Sequence, residues 1–178
     1  MRYPKILPLL LCLLAVAPIW AQVPVSAPAE NLEALLPVDP EITIGKLPNG
    51  LTYYIRKNSV PAGRAEIWLV VNAGSVLEDE DQRGLAHLVE HMAFNGSRDF
   101  EHQDLVRYLE SIGMRFGADV NAYTGFDETV YTLTVPTDRP QYVEQSLRIL
   151  KDWADGLTFD PEELAKERGV VVEEWRLG

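Results

Sequence analysis

A chain of 178 residues has room for one domain of ordinary size and none for a second. Its 27 acidic residues against 16 basic ones give a net charge of −11, which excludes nucleic acid and anionic membrane as partners of the bulk surface. A single cysteine excludes a disulfide framework, so a transition-metal site would have to be built from histidines and carboxylates.

Taken in chain order, Arg2 and Lys5 precede an apolar run from Ile6 to Ala17, and Pro18, Ile19, Trp20 and Ala21 lead into the polar Gln22. That is the pattern of a secretory signal peptide over residues 1–21, cleaved after Ala21. Pro8 and Pro18 interrupt the run, which is short for a hydrocarbon core of roughly 30 Å, so no stable membrane insertion is expected after cleavage. Cys12 leaves with the segment, and Leu11 before it is not the small residue of a lipoprotein signal. Losing Arg2 and Lys5 takes the net charge from −11 to −13. Residues 22–39 carry Pro24, Pro28 and Pro37 and only a brief apolar patch at Leu32, Leu35 and Leu36, which reads as a linker. Residues 40–178 form the remaining domain.

Within it, Lys46 to Leu51 makes a turn and Leu51–Ile55 a strand rich in β-branched and aromatic residues. Ile67–Val71 shows little alternation, as expected of a strand covered on both faces. From Gln82 to Phe94, Leu85, Leu88, Val89 and Met92 recur at helical spacing, with Asp79, Glu80 and Asp81 placed to favour the start of the helix. A second helix over 101–112 buries Leu105, Leu109 and Ile112 and stops at Gly113. Strands follow over 118–124 and 129–135, then a helix over 139–155 carrying Val143, Leu147, Leu150 and Ala154 and ending at Gly156. The last helix opens on Asp160-Pro161-Glu162-Glu163, a cap followed by proline at the first helical position. This order predicts an α+β fold, an antiparallel-rich sheet with helices packed on one side. There is no internal repeat and no low-complexity segment.

Of three histidines, two stand in the run His87-Leu88-Val89-Glu90-His91. Four residues apart on a helix they point the same way, with Glu90 within a turn of both, and the trio projects opposite the apolar stripe. Two imidazoles and a carboxylate so placed suit two zinc ligands and a general base, since Zn²⁺ takes neutral imidazole and leaves a position for water. The bland alternative is a solvated helix face that happens to hold two histidines. His102 lies outside ligand spacing and reads as structural or exposed.

The order HxxEH is that of the inverzincins. Together with Leu47–Tyr54 (LPNGLTYY), Asn72-Ala73-Gly74-Ser75 followed by Glu78, Gly84–Gly96 (GLAHLVEHMAFNG) and Glu167–Val171 (ERGVV), it resembles bacterial pitrilysin and insulinase-type peptidases over about 40 to 178. The resemblance implies one zinc per chain, bound by His87 and His91, with Glu90 activating water and a later glutamate completing the metal site. Among Glu163, Glu167, Glu173 and Glu174, the pair Glu167 and Glu174 share a helix face about 10.5 Å apart, while Glu173 is turned about 100° away. The family pattern points to Glu174, with Glu173 the fallback and Glu167 a supporting acid. It also implies that Asn121 and Ala122 lie on an edge strand where a peptide substrate pairs. A zinc endopeptidase of the periplasm is therefore expected, acting on peptides or unfolded segments. The alternatives are a catalytically silent partner domain of the same fold, which should have lost His87, Glu90 or His91, and a periplasmic metal-sequestering protein. The resemblance further implies a downstream homologous domain as partner, so that these residues alone, ending before a closing strand, would hold metal without turning over substrate.

Overall fold

The computed structural model describes residues 37–101 and 103–177. The expected signal peptide, most of the 22–39 linker, Cys12 and His102 lie outside the described residues. The chain divides into two compact units, one ending at Ile55 and one beginning at Arg56.

In the first unit, strand β1 (Ile42–Lys46) pairs with β2 (Thr52–Arg56). The turn between them closes through Gly50 N–H to the Leu47 carbonyl at 2.9 Å and Leu47 N–H to the Leu51 carbonyl at 2.8 Å. Gly50 sits at φ +94°, a conformation that favours glycine. β1 is absent from the sequence reading, since five residues with a central glycine carry little propensity of their own. A side chain at Gly45 would collide with the Tyr53 ring at 2.2 Å, so the ring's close approach across the pair requires glycine there.

The second unit begins with β3 (Arg64–Val71), followed by a short 3₁₀ turn at Ser75–Leu77. Then come α1 (Leu85–Met92), α2 (Asp104–Ser111), β4 (Val120–Thr124), β5 (Thr129–Pro136), α3 (Pro140–Asp155) and α4 (Pro161–Leu177). Its sheet has the order β3-β5-β4 with both pairings antiparallel, so β5 is central and β4 an edge. Central position explains the burial of β5: Tyr131, Leu133 and Val135 point into the core. Leu105 and Leu109 of α2, Met114 after it, Val120 of β4, Ile149, Leu150 and Trp153 of α3, and Ala93 after α1 complete it. The fold is thus α+β, with α1, α2 and α3 feeding one core against the sheet.

Three local expectations are corrected. β3 is not covered on both faces: Ala65, Ile67 and Leu69 are half-buried, whereas Trp68 on the opposite side is 60% exposed. The metal-motif helix starts at Leu85 rather than Gln82, because Gly84 takes a left-handed conformation (φ +90°) that ends the preceding turn. In α3 the buried face is Ser146, Ile149, Leu150 and Trp153, while Leu147 and Ala154 are exposed. Ser146 is tolerated inside because its hydroxyl donates to the Tyr142 carbonyl at 2.8 Å. Trp153 is buried on this face, where its indole N–H donates to the Ala93 carbonyl at 2.8 Å.

Candidate metal centre

Two elements far apart in sequence, α1 and α4, pack together and carry the charged cluster between them. α1 buries Leu88 and Met92 toward the core, and its polar face is not uniformly solvated: Glu90 is only 8% exposed, whereas the His87 side chain is 36% exposed. Leu85 and Val89, expected inside, are exposed instead. α4 begins where Asp160 caps it, its carboxylate accepting the Glu162 and Glu163 N–H groups at 2.9 and 3.2 Å, with Pro161 in the first turn. Val171 is its buried apolar anchor, and Glu167 and Glu174 extend from the side that meets α1.

The donor atoms form a nearly equilateral triangle. His87 Nε2 and His91 Nε2 are 3.2 Å apart, and the Glu174 Oε2 atom lies 3.3 Å from the first and 3.4 Å from the second. Ligands at about 2.0–2.1 Å from a tetrahedral zinc are separated by about 3.3 Å, so this triangle is one face of such a tetrahedron. The tautomer agrees with that fit. His91 Nδ1 lies 2.8 Å from Glu167 Oε2, and a carboxylate can only accept, so Nδ1 is the donor of this pair, which in the neutral ring leaves the Nε2 lone pair on the side of the triangle. Two imidazole nitrogens and a carboxylate oxygen so close together could hold a metal ion. Glu173, the fallback, instead pairs with Arg176 at 2.5 Å.

Glu90 stands beside the triangle, held by the Thr124 hydroxyl, which donates to Glu90 Oε2 at 2.6 Å. Tyr131 lies nearby; burial, and to a lesser degree the Glu90 charge, pushes its phenol up to about 12, so it stays neutral. The pairing of Thr124 with Glu90 joins residues 34 apart and had no signal in the sequence beyond the alternation of β4, which turns Val120, Ala122 and Thr124 inward. Asn121 is exposed and accepts the Ala122 N–H at 3.0 Å. Both line a recess of about 300 Å³ that also reaches Glu90, His91 and Glu167. A second recess of about 570 Å³ opens on the other flank, between His87, Thr124, Phe126, Val172 and Trp175.

A helix-borne pair of imidazoles, a carboxylate from a second helix and a buried glutamate beside them define the class of site found in metal-dependent hydrolases. The chain belongs to the insulinase family, peptidase family M16, whose model matches residues 53–176. It is 50% identical over 141 residues to the probable zinc protease PqqL of Haemophilus influenzae, covering 79% of this chain and 15% of that protein. To the probable zinc protease PqqL of Escherichia coli it is 42% identical over 149 residues, covering 84% and 16%. The crystal structure of the periplasmic protease PqqL from Escherichia coli matches with a TM-score of 0.77 and 43% identity, over 80% of this chain and 16% of that one. Pitrilysin matches with a TM-score of 0.65 and 26% identity, over 76% and 14%. The chain therefore spans about one-sixth of the length of these relatives. No helix among the described residues is long and apolar enough to cross a membrane.

Proposed function

We propose that this chain is the zinc-holding part of a metalloendopeptidase that hydrolyses peptide bonds in peptides or unfolded segments. The observation that carries the reading is the donor triangle of His87, His91 and Glu174, with sides of 3.2, 3.3 and 3.4 Å. Bound zinc would polarise the scissile carbonyl and lower the pKa of water to about 7. Glu90 takes the proton of the attacking water and returns it to the leaving amine, while the Thr124 hydroxyl holds one of its oxygens in place. Glu167 fixes the His91 ring through Nδ1. Substrate lies along the open edge of β4 as an added strand, with Asn121 and Ala122 at the pairing positions. The reading is supported by the names of the PqqL relatives, and the periplasm is proposed as its location from the N-terminal segment and from the description of the Escherichia coli protease. Since the relatives are about six times longer, we assign the groups that polarise the carbonyl from the far side to a downstream domain of the full-length protein.

The test is Glu90→Gln in the full-length protein. The amide cannot accept the proton, so zinc content and fold should persist while hydrolysis of a quenched peptide library falls by at least about 10²–10⁴-fold. Activity near wild type with zinc bound would remove Glu90 from the role and with it the mechanism.

A further inference from the structure

The first turn of α1 has no cap of its own. The residue before it is Gly84, which has no side chain to offer, and no acid lies in the turn. Two backbone N–H groups of that turn are nonetheless satisfied from a distance: Glu78 Oε2 accepts the Gly84 N–H and Glu78 Oε1 accepts the Ala86 N–H, both at 2.8 Å. Both carboxylate oxygens are thus spent on the backbone immediately before His87. Glu78 is itself anchored, because the 3₁₀ turn preceding it bonds to the loop after β4 through Ser75 N–H to Gly125 O at 3.1 Å and Val76 N–H to Phe126 O at 2.8 Å. The approach is so close that a side chain at Gly74 would meet the Gly125 carbonyl at 2.5 Å. Of the neighbouring acids expected to serve the helix start, Glu80 pairs instead with Arg83 at 2.6 Å.

Resting on the zinc reading above, we propose that Glu78 is a positioning residue for the metal site. It clamps the first turn of α1 from outside the helix, ties it to the end of edge strand β4, and so sets where His87 stands relative to His91. A bidentate anionic clamp at a helix N-terminus fits the two orphan donors and the positive end of the dipole together. A glutamine keeps the length but presents one acceptor and one donor, leaving an N–H facing an N–H.

The experiment compares Glu78→Gln with Asp79→Asn in the full-length protein; the two changes remove the same charge from adjacent residues of one loop. Zinc affinity is measured by chelator competition, and the visible spectrum of the Co²⁺-substituted protein reports ligand geometry. Glu78→Gln should weaken zinc about tenfold and alter the Co²⁺ bands, with faster amide exchange confined to Leu85–Leu88, whereas Asp79→Asn should match wild type. Zinc affinity within twofold of wild type and an unchanged Co²⁺ spectrum in Glu78→Gln would overturn the proposal. So would equal weakening in Asp79→Asn, which would assign the effect to loop charge. Failure of the wild-type protein itself to bind zinc would instead overturn the reading on which the proposal rests.

Discussion

Glu173 and Glu174 are neighbours with the same chemistry, and what separates them is a rotation of about 100° on α4. That rotation carries one carboxylate to Arg176 and the other to within 3.4 Å of both imidazoles. We predict that Glu174→Ala abolishes stoichiometric zinc binding while Glu173→Ala retains it; metal analysis giving the reverse would move the ligand by one residue. The His-to-His spacing and the intervening Glu90 were visible in the sequence because α1 is local and regular. Glu174 emerged only through family resemblance, since four acids on one helix are equivalent until a partner helix chooses among them. The parts played by Thr124 and Glu78 were the least visible, although Glu78 belongs to the segment that carries the family resemblance. Their roles are hydrogen bonds to another element, and nothing in a threonine of a strand or a glutamate of an acidic loop marks such a partner in advance.

At the scale of elements, α1 is held at both ends by residues outside it, Glu78 at the start and the Trp153 indole at its close. Beyond its C-terminus the loop is bound to α3 through Asp152, whose buried carboxylate accepts the Ser97 hydroxyl and the Asp99 N–H, each at 2.7 Å. Burial opposes ionisation there, but the bonds from Asp99 and Ser97, with the Arg98 charge, outweigh it and hold Asp152 below the usual carboxylate range. A lowered folded-state pKa means that the contribution is complete above the unfolded value, about 3.9, and is lost as pH falls through the folded value. Asp152→Asn in the metal-free protein should therefore cost about 1–3 kcal/mol at neutral pH, with the gap to wild type closing in acid. Thermal unfolding at the two pH values measures it, and a gap independent of pH would discard the assignment. The stripe expected on α3 was misplaced. Periodicity found a helix, but two overlapping apolar faces were available, and the buried one is that carrying Ile149, Leu150 and Trp153.

For the whole second unit, the α+β class and the antiparallel sheet could be read from the order of elements, while β1 and the division near residue 55 could not, because both depend on pairing rather than on local pattern. The donor triangle draws on two helices distant in the unit's chain, α1 and the C-terminal α4. We predict that chelation loosens α4 first, seen as new cleavage by a limiting protease between Thr158 and Leu177, and that excess zinc protects, by about 2.7 kcal/mol at a free concentration one hundred times Kd. An identical digestion pattern with and without chelator would count against a metal shared by the two helices. If the proposed zinc is bound, the span between His91 and Glu174, roughly 80 residues holding α2, β4, β5 and α3, makes the centre a loop closure as well as a site. Bringing such ends together costs an unfolded chain on the order of 4 kcal/mol in entropy. Under that reading the two histidines are local to α1, whereas the third donor has to be brought in from α4. On the zinc reading proposed above, metal exchange would be tied to α4 departing from α1, and its rate would serve as a clock for the opening of that helix pair.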